Sequence, residues 1–140
     1  TRVCIFMNVF DVHVNRSPML GQITYKKYIP GSFFNASLDK ASDQNERLIL
    51  NMDTENGNKI AFVQIAGLVA RRIICDVDIG HSLKAGEIFG LIRFGSRVDI
   101  YFPSEVSVMV LKGQKMIAGE TIIGDFSKNA KPVKEITDEK

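Results

Sequence analysis

Tryptophan is absent from the 140 residues, and cysteine, histidine and proline are scarce, at two, two and four. Two histidines, His13 and His81, cannot make a zinc site without other ligands, and no Cys/His spacing supplies them, so no metal is expected. Cys4 and Cys75 both lie in apolar runs and form no C-x-x-C pair, which reads as two buried free thiols in a reducing compartment. No apolar run approaches the roughly 20 residues of a membrane span, and no signal-peptide pattern opens the chain. Charge of one sign is lacking too: 18 Lys and Arg against 16 Asp and Glu leave a net +2, with no electrostatic footprint for nucleic acid. Neither G-x-x-x-x-G-K-[ST] nor G-x-G-x-x-G occurs. A hydrolase elbow G-x-S-x-G is missing as well, because Phe94-Gly95-Ser96-Arg97 lacks the second glycine. The first residue is Thr1 and a strand-like run starts at once, as expected of a piece of a longer protein.

What is present reads as β structure. Hydrophobic residues make up 45% of the chain, enough for one compact domain with its own core. The apolar segments are short and rich in β-branched residues, which predicts strands at Arg2–Val9, Lys59–Ala66, Val69–Val77, Glu87–Arg93, Arg97–Phe102, Val106–Leu111 and Met116–Ile123. Within Arg97–Phe102 polar and apolar residues alternate, as in a strand with one wet face. Asn56-Gly57, between Leu48–Met52 and the Lys59 run, predicts a hairpin. Ser37–Leu48 is the one stretch with helical character, capped by Ser37 or Asp39. Val77-Asp78-Ile79-Gly80 running on to Ala85-Gly86-Glu87 is echoed by Val110-Leu111-Lys112-Gly113 running on to Ala118-Gly119-Glu120. Two such units predict a small, mainly β sandwich of the barrel-sandwich kind, with pseudo-symmetric halves joined by an Ile88–Met109 hairpin and at most one or two short helices. Residues 1–126 form the expected single domain, and 127–140 a polar tail.

A carrier module with a modified lysine at a hairpin tip does not fit, since Ala85–Leu111 contains no lysine. The tip holds Arg93-Phe94-Gly95-Ser96-Arg97 instead. A Gly-Ser pair alone carries little information, because composition gives about one by chance and Gly31-Ser32 is a second. Four ordered blocks supply the context. They are Asn8-Val9-Phe10-Asp11-Val12-His13-Val14-Asn15-Arg16-Ser17-Pro18; Pro30–Ala36 with Asn45-Glu46-Arg47; Gln64–Ile73; and Phe89–Asp99. From about Arg2 to Ile123 the chain resembles the short, pyruvoyl-dependent phosphatidylserine decarboxylases.

That resemblance implies a lyase that makes phosphatidylethanolamine and carbon dioxide from phosphatidylserine at a membrane. It implies autocatalytic cleavage between Gly95 and Ser96. Residues 1–95 then form one fragment and 96–140 the other, the two remaining together as a heterodimer that can assemble further. The cofactor would be a covalent pyruvoyl group made from Ser96. His13 matches a family active-site histidine and is expected to act as general acid/base. Arg16, Arg93 and Arg97 are candidates to hold the lipid phosphate, which a guanidinium meets bidentately. The expected location is the cytoplasmic side of the cell membrane, peripherally bound. In two respects the chain departs from the pattern. Members with a longer motif carry a second histidine where this chain has Arg16, and the family's processing aspartate lies upstream of the first block. His81 has no counterpart and reads as a solvent-facing turn residue. The alternatives are a decarboxylase of a soluble amino acid and a non-catalytic β-sandwich module.

Overall fold

In Arg47–Thr54 every second side chain, Leu48, Leu50, Met52 and Thr54, is buried, the alternation that a pleated strand imposes on a half-buried segment. Segments of this kind build most of the computed structural model, which describes residues 1–7, 14–68, 72–92 and 95–127. The chain divides into two compact units, Thr1–Phe102 and Pro103–Lys140.

The first unit contains β1 (Arg2–Met7), β2 (Val14–Arg16), β3 (Gly21–Ile29), α1 (Ala41–Gln44), β4 (Arg47–Thr54), β5 (Lys59–Ile65), β6 (Ile73–Cys75), β7 (Ser82–Leu83), β8 (Ile88–Ile92) and β9 (Ser96–Tyr101). Six strands form one antiparallel sheet in the order β1-β9-β5-β4-β3-β7, and three form a second in the order β2-β8-β6. The faces of the two sheets meet through Phe62 of β5 and Phe89 of β8, whose rings pack edge to face with centroids 4.9 Å apart. Leu48, Leu50, Met52, Ile60, Val98, Ile100 and Ile92 complete the buried set around them. Each large apolar side chain so enclosed contributes about 1.5–3 kcal/mol. On the other face of β5, Val63 and Ile65 pack with Ala41 of α1, so this strand is covered on both sides. In the second unit β10 (Ser107–Val108) pairs with β11 (Gly124–Asp125).

The fold is mainly β with one short helix, as the sequence predicts. The hairpin at Asn56-Gly57 is present: Gly57 takes φ +76°, its N–H donates to the Thr54 carbonyl, and Thr54 N–H donates to the Asn58 carbonyl. The sequence echo is also real as local structure. His81 N–H donates to Asp78 and Gln114 N–H to Leu111, each around a positive-φ glycine, Gly80 and Gly113. Glu87 to Lys84 and Glu120 to Ile117 repeat the pattern around Gly86 and Gly119. The two copies fall in different units.

Several expected elements differ. The helix shrinks to Ala41–Gln44, because the Asn45 side chain bonds the backbone of Phe34 and Ala66 and turns the chain into β4. The nine-residue β3 is absent from the predicted set, and Met116–Ile123 forms turns, not a strand. Only Ile73–Cys75 of Val69–Val77 is a described strand, and 69–71 lie outside the described residues. Ile88 and Met109 do not bound a hairpin: β8 and β9 belong to different sheets. The wet face expected for Arg97–Phe102 is dry at Arg97 and Asp99, because α1 and the loop before it cover that face. Among the described residues no helix is long and apolar enough to cross a membrane. The tail from 128 onward lies outside the described residues.

Candidate active site

Gly95 and Ser96 stand where the chain passes from the three-stranded sheet into the six-stranded one. Gly95 is exposed and has φ +76°, a conformation that costs a residue with a Cβ about 1–2 kcal/mol. Its N–H donates to the Met7 carbonyl at 2.6 Å, at the point where Met7 of β1 faces Ser96 of β9. Its carbonyl oxygen packs directly on the backbone of Gly67, where any Cβ would overlap it. Ser96 is only 1% exposed. A left-handed glycine with its carbonyl wedged against another glycine thus precedes an enclosed serine. The other Gly-Ser bond is built differently. Gly31 is not among the positive-φ glycines, and exposed Ser32 is tied by its backbone to Gln44 and Glu46.

Four sequence blocks converge here. Gln64 Nε2 donates to Asn15 Oδ1 at 2.8 Å, joining the first block to the third. Asn45 Nδ2 donates to the carbonyls of Phe34 and Ala66, both at 2.8 Å. Arg97 Nη1 donates to the Ala36 carbonyl at 3.0 Å, joining the last block to the second.

Arg97 is not at the surface. It is buried beside the fully enclosed Asp99, with Nε–Oδ1 2.7 Å and Nη2–Oδ2 2.9 Å, and Nη1 is taken by the carbonyls of Ala36 and Leu38. Phe6 covers the guanidinium at 5.5 Å. Asp99 also accepts from Ser42 Oγ at 2.9 Å. These bonds fasten β9 to α1 and the preceding loop and leave no fork for a phosphate, so Arg97 is corrected from substrate contact to scaffold. Arg16 is exposed on β2 and donates to the Gly86 carbonyl at 2.9 Å. His13 and Arg93 lie outside the described residues. His81 sits exposed in the turn after Gly80. Cys4 and Cys75 are unpaired and half-buried, and burial pushes both thiols up from their usual pKa. Among the described residues no group of three or more His, Cys, Asp or Glu side chains is arranged to hold a metal ion. Gly67, Asn15, Gln64 and Asp99 sit in or beside the quoted blocks, yet composition and spacing give none of them a role.

Two antiparallel sheets with a Gly-Ser bond at the passage between them define a small β domain with one tightly constrained peptide bond at its sheet crossing. A family model for phosphatidylserine decarboxylase matches residues 1–124. The chain belongs to that family. It is 61% identical over 127 residues to the phosphatidylserine decarboxylase proenzyme of Rickettsia bellii, covering 91% of this chain and 55% of that protein. The proenzymes of Rickettsia akari and Rickettsia typhi are 59% and 58% identical over the same shares. The chain therefore spans about half the length of the curated relatives it matches.

Proposed function

We propose that this chain is the catalytic part of a phosphatidylserine decarboxylase proenzyme that cuts itself between Gly95 and Ser96 and decarboxylates phosphatidylserine at the cytoplasmic face of a membrane. The observation that carries the reading is the Gly95–Ser96 bond itself, with its left-handed glycine, its carbonyl on Gly67 and its enclosed serine. Position 96 fits a pyruvoyl group: it starts a strand held on both sides by β1 and β5, in a space closed to bulk water.

In the cut, Ser96 Oγ attacks the Gly95 carbonyl carbon. The C–N bond breaks, the C–Oγ bond forms, and the hydroxyl proton passes to nitrogen. Loss of the Ser96 α-proton expels Gly95 as a free carboxylate, and water then replaces the nitrogen as ammonia leaves. The left-handed φ of Gly95 keeps its carbonyl in a conformation that few other residues adopt without strain. The pyruvoyl group supplies a ketone for the substrate amine and an adjoining carbonyl that draws electrons as carbon dioxide departs. His13 is the group proposed to move the proton. Its support is the family match, together with the described residues on either side of its segment: Met7 faces Ser96 and Asn15 touches Met7. Arg16, exposed beside Asn15, is the proposed anchor for the lipid phosphate, and Arg93 a second one.

The test is carbon dioxide release from carboxyl-labelled phosphatidylserine in vesicles by the full-length protein, with free serine as the second substrate. Release from the lipid alone is expected. His13→Ala introduced into already cut enzyme should lower turnover by about two orders of magnitude or more, with an unchanged melting curve. Release from free serine at the lipid rate, or no release from either, contradicts the reading.

A further inference from the structure

Asn15 and Gln64 meet in the space between the two sheets, 4% and 1% exposed. Gln64 Nε2 donates to Asn15 Oδ1 at 2.8 Å and to the Ile74 carbonyl at 3.0 Å. A backbone carbonyl only accepts, so this end of Gln64 is its NH2 group, and Asn15 must turn its oxygen toward it. Asn15 Nδ2 is thereby aimed at Met7, whose sulfur it meets at 3.5 Å. Gln64 Oε1 is left buried with no hydrogen-bond partner, the one side-chain atom so placed among the described residues. Buried polar atoms in native proteins are nearly always paired, so an acceptor without a donor calls for an explanation.

The strand register supplies one. Met7 on β1 faces Ser96, and Gln64 on β5 faces Val98, while β9 runs between those two strands. An Asn15 amide that reaches from Met7 to Gln64 therefore crosses β9 between positions 96 and 98. Residues two apart on a strand share a face, and diagonal neighbours on adjacent strands lie about 7–8 Å apart, within reach of a long side chain. Gln64 and Ser96 thus lie on one buried face of the sheet, diagonal to each other across β5 and β9.

We propose that Gln64 is a further catalytic residue for the chemistry at position 96, its Oε1 accepting from an amine N–H that arises there only during the reaction, and that Asn15 is the positioning residue that holds it. The inference rests on the self-cleavage reading above. When the acyl group moves from the Ser96 nitrogen to Oγ, that nitrogen becomes an amine carrying the former hydroxyl proton. It is no longer a peptide N–H of the sheet and needs a new acceptor. Gln64 Oε1 is held still for it, because Nε2 at the other end of the amide is fixed by Asn15 and Ile74. Pairing the amine holds the ester form against return to the amide and lets the α-proton be removed.

The test follows self-cleavage of the full-length proenzyme by denaturing mass spectrometry over time and across pH, with a melting curve for each variant. Gln64→Met keeps the length and removes the acceptor; it should fold and cut about tenfold more slowly or worse. Gln64→Glu keeps an acceptor, so cutting should persist, with a new ionisation in its pH profile that the wild type lacks. Asn15→Leu, which frees Nε2 but spares Oε1, should show a smaller loss. If Gln64→Met does not fold, the pH profile of Gln64→Glu decides. A folded Gln64→Met that cuts at the wild-type rate, or a Gln64→Glu with the wild-type pH profile, overturns this inference alone. Wild-type protein left uncut overturns the self-cleavage reading and this inference with it.

Discussion

At the scale of residues, two glycines and a serine set the geometry. The Gly95 carbonyl can reach its position only because Gly67 has no Cβ, and Gly95 can hold φ +76° only at a cost for any other residue. Gly67→Ala should therefore displace the Gly95 carbonyl and block cutting in a protein that still melts cooperatively. Ser96→Ala should abolish cutting, and Ser32→Ala, at the other Gly-Ser bond, should leave it intact. Cutting is read by denaturing gel and intact mass. A Gly67→Ala protein cut at the normal rate would show that the close approach is irrelevant to the chemistry. Gly95 and Ser96 could be picked from the sequence because four blocks framed them, and the dipeptide alone could not distinguish them from Gly31-Ser32. Gly67 could not be picked, because its constraint comes from a carbonyl far along the chain.

At the scale of elements, β9 carries both the site and its fastening. Arg97 and Asp99 point to one face of the strand and pair there out of water, with Ser42 and the carbonyls of Ala36 and Leu38 completing their bonds. Removing one partner of a buried pair leaves an uncompensated charge, typically a loss of about 3–5 kcal/mol. Arg97→Ala should lower Tm sharply and slow cutting through that instability, whereas Arg16→Ala should leave Tm near wild type. A calorimetric melt checks both, and an unchanged Tm for Arg97→Ala would mean that the pair holds nothing. In the sequence this segment alternates as a strand with one wet face does, and alternation cannot tell water from a buried partner. β3 was illegible for a related reason. Of its side chains only Ile23 is deeply buried, and a bulge between Ile23 and Tyr25 breaks the period of two. The segment Ser37–Leu48 has acceptable local helix propensity, but the Asn45 side chain bonds distant backbone and ends the helix early.

At the scale of the molecule, the cut would fall at the start of a strand that lies between two others in the first unit, without separating its halves. β9 would belong to the fragment that begins at residue 96, yet it is paired on one side with β1 and on the other with β5. Two fragments joined by both edges of a central strand should elute together under native conditions and part only in denaturant. The echo of glycine turns at 78–87 and 111–120 was legible because turns are written locally, whereas the division of the chain at Phe102 and Pro103 was not, since it depends on which segments pack together. Intact mass and amino-terminal sequencing of the purified full-length protein test the central claim most directly. Two fragments are predicted, one ending at Gly95 and one starting at residue 96 with a blocked amino end, co-eluting until denatured. A free amino end reading Ser96-Arg97-Val98, or a single uncut chain in active protein, would contradict it.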